Sequence, residues 1–289
     1  MHPATPPLSS SLSIGQCATL ACLLEVTAAK PGNVHRGADF DDATFADFAI
    51  SAVAIGPAME RAAMDGQVGD CVLAAVQATQ QLVATNTNLG TVLLLAPLAA
   101  VPRDAPIHQG IQDVLDRLTT RDAALVYDAI RLARPGGLGT AVQHDIDQPP
   151  PDDLLVAMRA AGEQDLVARQ YADRFSLVRE VAGRLAAGCE RGWTLLESIV
   201  EAHVWLMSEF PDSLIARKCG AAVADESAAR AAHVSRAGAP GDEAYQLALA
   251  DLDFWLRCDG HRRNPGTTAD LIAAGLFVGL HASELSPSL

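Results

Sequence analysis

Three short polar segments, each set between apolar stretches, hold most of the residues able to do chemistry. The first, KPGNVHRGADFDD at 30–42, places Lys30, His35 and Arg36 beside Asp39, Asp41 and Asp42. Both signs of charge together suit a phosphate ligand carrying a divalent cation, with cations on the oxygens and carboxylates on the metal. A solvated connecting loop has the same composition. The second, TNTNLGT at 85–91, brings Asn86, Asn88 and Gly90 to the start of a very apolar helix. Free backbone N–H groups and amides there can meet an anion or a nucleobase, although capping plus a turn would use the same residues. The third, HRRNPGTTADL at 261–271, repeats the design, with Asn264, Gly266, Thr267 and Thr268 opening the last helix. Asp270 follows early in that helix, where it can serve the helix dipole or hold a metal.

The lysines narrow the choice. Of 21 basic residues only Lys30 and Lys218 are lysines, and both stand at polar breaks, the latter in PDSLIARKCG at 211–220. Surface charge is left to arginine, so these two ammonium groups read as compact donors aimed at phosphate. Other signals are weaker. His144-Asp145 is the dyad of one class of metal phosphohydrolases, but it runs into QPPP instead of lying on a helix with further ligands. His203 lies on an apolar stripe, and Trp193, Trp205 and Trp255 are dispersed, so all four read as core. No Walker A, G-x-G-x-x-G, G-x-S-x-G or H-E-x-x-H pattern occurs.

Helices must position these segments. Ser13, with Gln16 in the capping-box place, opens a helix toward Ala29, and Asp42 reads as the N-cap of the next. Further helical stretches are expected near 69–84, 89–100, 108–118, 121–133, 163–187, 194–207, 222–236, 241–258 and 267–282. No alternating run is long enough for a strand, which makes the chain all-α. Residues 1–12 read as a mobile Pro- and Ser-rich tail, and 13–289 as one domain with a surface loop near 145–153.

Composition agrees. The 289 residues are 49% hydrophobic but only 4% aromatic, a balance that favours close helix packing. A net charge of −14 argues against nucleic acid or a membrane surface as partner. Six scattered cysteines without metal spacing, and a start lacking a signal-peptide pattern, lead us to expect a reducing cytoplasm.

Five stretches taken in order carry a resemblance. Glu25 with KPGNVHRGADF, then NTNLGTVLLLAPLA, YDAIRLARPGGLG, PDSLIARKCG and NPGTTADLIAAGLF resemble the triphosphoribosyl-dephospho-CoA synthase family, over about residues 16–280. The chain departs from the citrate-lyase and malonate-decarboxylase branches at Asn33, at Asn88-Leu89 in place of His-Lys, and at Thr267-Thr268 in place of Gly-Ser. In this it is similar to a divergent archaeal and methylotroph branch.

The resemblance implies transfer of triphosphoribose from ATP to 3′-dephospho-CoA with loss of adenine, by one inverting displacement. Such a reaction wants a carboxylate base, for which Glu25 and Asp39 stand as candidates. It also wants a clamp on ATP from Lys30, Asn33, His35, Arg36, Asn86, Asn88, Gly90, Lys218, Asn264, Gly266, Thr267 and Thr268, and Mg2+ at Asp39, Asp42 and Asp270. Loss of the His-Lys pair suits an acceptor with fewer phosphates. A ribitol-containing precursor of a methanopterin-type carrier is the alternative the branch implies, because its side arm has an α-linked ribose phosphate. A phosphohydrolase and a non-catalytic helical scaffold are the readings outside the family.

Overall fold

The computed structural model describes residues 12–134, 146 and 148–285. Among these the secondary structure is helical, with one antiparallel bridge, His35 to Ala38, and no strand. In chain order α1 (Ile14–Thr27), α2 (Phe45–Asp65) and α3 (Val68–Gln80) lead to α4 (Leu89–Ala99). Next come α5 (Ile107–Asp116), α6 (Thr120–Ala133), α7 (Leu154–Ala161), α8 (Leu166–Ala172) and α9 (Ser176–Glu190). The chain finishes with α10 (Leu195–Glu209), α11 (Ser213–Cys219), α12 (Ala221–Ala237), α13 (Glu243–Arg257) and α14 (Gly266–His281).

Two helices that are apolar all round organise the rest. Every residue of α4 except Gly90 is buried, as is every residue of α14 from Leu271 onward. A helix without a polar face must be wrapped by others. Accordingly α4 packs on α1, α2, α3, α5, α8 and α14, and α14 on α1, α8, α9, α10 and α11. The main core therefore surrounds this pair. A smaller cluster holds Met207, Ile215, Tyr245, Leu252 and Leu256, and α10 joins the two by facing Ile199 and Leu206 one way and Val204 and Met207 the other. Among the described residues no helix is long and apolar enough to cross a membrane, and all six cysteines are free.

Local chemistry accounts for the helix starts, including those the sequence reading misplaced. Ser13 and Gln16 form the expected capping box of α1. Asp42 is not the cap of α2: Thr44 is, through a reciprocal box with Asp47 that satisfies two backbone donors at once. The stretch expected as one helix over 163–187 breaks at Arg174 and Phe175, both with positive φ. Buried Gln170 stabilises the break, its carbonyl accepting from Phe175 N and its side chain from Val178 N. Two short helices were not expected. α7 is capped by Asp153, and α11, capped by Asp212, occupies what read as a break. His144-Asp145 and the tail at 1–11 lie outside the described residues.

Candidate active site

A cavity of about 770 Å3 opens at the end of the core where α4 and α14 begin. The two starts are tied side by side, because Thr91 Oγ1 donates to Asp270 Oδ1 at 2.6 Å. Gly90 makes this approach feasible: a Cβ there would fall 2.0 Å from Asp270 Oδ2. The N-termini of both helices thus lie at the cavity and favour negative charge in it. Glu25 reaches the same space from the last turn of α1, Asn33 and Phe40 from the first polar loop, and Lys218 from α11.

Its carboxylates sit in unlike surroundings. Glu25, 8% exposed, meets the ammonium of Lys30 at 2.9 Å. Burial raises the Glu25 pKa, and Lys30 opposes the rise. Asp270 has no such counter-ion among the described residues. Burial pushes its pKa from the usual 3.8 up to about 7, against the hydrogen bond from Thr91, with the charges of Glu25 and Asp212 adding to the rise. Between those values the folded protein binds more protons than the unfolded chain, so this group costs stability as pH climbs from about 4 to about 7. Asp270→Asn keeps an acceptor for Thr91 and removes the ionisation. The ligand-free wild type is therefore expected to lose more melting temperature between pH 5 and pH 8 than the variant; equal losses would contradict the assignment.

The first polar loop is pinned by α13 and by the loop before α14. Gly32 N donates to Asp253 Oδ1 at 2.7 Å, and Arg257 Nη2 to the carbonyl of Asn33 at 2.5 Å. Gly32 needs its positive φ of 75°, and a Cβ there would strike Leu256 and Pro265. Asn33 lines the cavity; its Nδ2 donates to Asn264 Oδ1 at 2.6 Å, while its Oδ1 is buried with no partner among the described residues. Phe40 stacks on His261 at 4.1 Å between centroids. Behind the wall, Asp212 accepts from Leu214 N, Ile215 N, Thr268 N and Thr268 Oγ1, joining the starts of α11 and α14.

Among the described residues two cations line the cavity, Arg217 and Lys218. Arg217 is engaged by Asp165, whose other oxygen caps α8. Lys218 is the one lining cation without an ion pair among the described residues. Against them stand Glu25, Asp165 and Asp270. Side chains alone therefore cannot balance a triphosphate in this cavity.

A family model for ATP:dephospho-CoA triphosphoribosyl transferase matches residues 11–287. The chain belongs to this family. Among solved structures it is similar to the crystal structure of a protein from Archaeoglobus fulgidus assigned as a triphosphoribosyl-dephospho-CoA synthase. The two share 28% identity with a TM-score of 0.63, over 82% of this chain and 98% of that one. No curated protein matches the sequence significantly.

In this triphosphoribosyl transferase family member the cavity gathers Glu25, Asn33, Asn86, Asn88, Gly90, Lys218, Asn264, Gly266, Thr267 and Asp270 from the expected site. Others stand apart, for physical reasons. Lys30 is fully buried and does not line the cavity, its ammonium meeting the Glu25 carboxylate and the carbonyls of Glu25 and Ala28. Thr268 is likewise buried and committed to Asp212. His35 and Arg36 do not line the cavity, and His35 makes the turn to Ala38. Asp39, exposed, does not line the cavity and accepts from Phe45 N at the start of α2. Asp42 is exposed too, and among the described residues no group of three or more His, Cys, Asp or Glu could hold a metal, so Asp39, Asp42 and Asp270 do not form one metal site. His203 is a fully buried core residue whose ring lies against the backbone of Pro31. Trp255 is flanked by Arg230 and Arg263, and Trp205 by Arg184. The sequence reading missed Arg217, Asp165 and Asp212. Asp212, after Pro211 and before an apolar run, carries the N-cap signature that could have revealed it.

Proposed function

We propose that the cavity transfers the triphosphoribosyl group of MgATP to a hydroxyl of an acceptor, 3′-dephospho-CoA being the acceptor the family description names. One observation carries the reading: a carboxylate with a buried counter-ion, a lysine with no ion pair among the described residues and two helix N-termini converge on one cavity. The triphosphate goes to the N-termini of α4 and α14 and to Lys218. Mg2+ enters with ATP as part of the substrate. Asp270 is the lining oxygen donor that fits it, with the phosphates supplying most of the coordination.

Glu25 takes the proton of the acceptor hydroxyl as its oxygen bonds to C1′ on the face opposite adenine. The C1′–N9 bond breaks, its electron pair leaves with adenine, and adenine gains a proton in return. The raised pKa of Glu25 makes it a better base than a surface carboxylate, and closeness of the carboxylates to C1′ stabilises the positive charge developing there.

Lys218→Ala is expected to weaken MgATP binding about tenfold, the worth of one charge-assisted hydrogen bond, with melting temperature unchanged. Arg121→Ala, which breaks an exposed pair with Asp70, is the control and should leave binding unchanged. Calorimetric titration reads both, and equal effects would contradict the role given to Lys218.

Product analysis by HPLC after incubation with MgATP and dephospho-CoA tests the reaction. Free adenine supports transfer, inorganic phosphate alone supports a phosphohydrolase, and no turnover with any acceptor supports a scaffold. A ribitol-containing acceptor is the second reading. Leu89, where other branches carry lysine, lines the cavity, and so removes a cationic contact from an acceptor phosphate.

A further inference from the structure

Among the described residues, the five charged side chains that line the cavity, Glu25, Asp165, Arg217, Lys218 and Asp270, come from α1, α11, α14 and the start of α8. The side built by α2, α6 and α7 is different. It presents Phe48, Ala52, Tyr127, Ile130, Ala157 and Met158, with no charged side chain among the described residues. A phosphate placed there would lose its water and find no counter-charge, a heavy penalty. An uncharged apolar group would gain from burial.

C1′ of the bound nucleotide has three directions to fill: triphosphate, adenine and incoming acceptor. The helix N-termini and Lys218 account for the first. Adenine has a polar edge with an amino group, and the amides of Asn33, Asn86 and Asn264 line the polar side. Asn33 Oδ1 in particular is buried without a donor, the match for an exocyclic N–H. The apolar side is left to the third direction. We infer that the α2–α6–α7 side is the acceptor subsite, and that the part of the acceptor it holds is an uncharged, mostly apolar or aromatic group. The inference rests on the transfer reading given above, and it adds a substrate class that the catalytic groups do not specify.

The test uses the full chain and N-phenyl-1-naphthylamine, an uncharged aromatic fluorophore, as probe. The dye is expected to bind equally with and without saturating MgATP. Ala157→Trp, which fills the apolar side, should weaken dye binding about tenfold or more while MgATP affinity by calorimetry stays within about twofold. Ala157→Met, a milder filling, should weaken the dye by a smaller factor, and it serves if the larger side chain prevents folding. Displacement of the dye by MgATP, absence of dye binding, or equal loss of MgATP affinity in the variants overturns the inference. Failure of the wild type to bind MgATP overturns the transfer reading, and the inference with it. Calorimetry reports that failure and fluorescence the others, so the two are told apart.

Discussion

Glu25→Gln is expected to lower kcat by about 10²–10⁴-fold, the usual worth of a general base, with KM for MgATP changed by no more than about threefold. The substitution keeps size and an acceptor for Lys30 Nζ, but it removes the group able to take a proton. Among the described residues Glu25 is the only lining carboxylate with a buried ammonium against it, at 2.9 Å, which holds it in place and keeps it able to ionise in a buried wall. Steady-state kinetics read the split. A rise in KM with kcat unchanged would make Glu25 a binding residue and remove it as base.

Lys30→Ala should be the most destabilising single change at the site. It leaves the Glu25 carboxylate buried and uncompensated, which costs about 3–5 kcal/mol, or a fall of about 10 °C in melting temperature for a chain of this size. Turnover should fall with it, because the ammonium positions Glu25. Lys30→Met combined with Glu25→Gln makes the pair neutral and should recover most of the stability without recovering turnover. Thermal denaturation of the single and double variants checks the coupling. A Lys30→Ala protein that melts like the wild type but binds MgATP weakly would return Lys30 to the phosphate clamp.

The contrast between the two lysines shows what the sequence made legible. Both stood out as rare cations at polar breaks, and one of them, Lys218, faces the cavity with no ion pair among the described residues. Nothing local told that Lys30 turns inward, since its burial depends on Glu25 five residues earlier folding back as its partner. Polar loops between apolar helices were visible from composition, and their convergence follows from Thr91 meeting Asp270 across 179 positions. The helical pattern also read well where an apolar stripe ran unbroken, as in α10. It failed at Phe175, where a non-glycine residue in the left-handed region is held by full burial of its side chain and by the hydrogen bonds to Gln170, which no propensity records. Asp42 lost to Thr44 because a reciprocal box outweighs a lone carboxylate. The apolar side of the cavity was illegible for another reason: its residues are scattered over three helices and look like ordinary core until those helices are assembled.

The central claim is that one cavity breaks the bond to adenine and keeps the triphosphate on the sugar. ATP labelled with carbon-14 in adenine and phosphorus-32 at the γ position, mixed with excess enzyme, Mg2+ and dephospho-CoA in a single turnover, tests it directly. The account predicts free labelled adenine and γ-labelled acceptor in equal amounts, with no labelled ADP. Label appearing in inorganic phosphate, or adenine label retained in ADP, would contradict it.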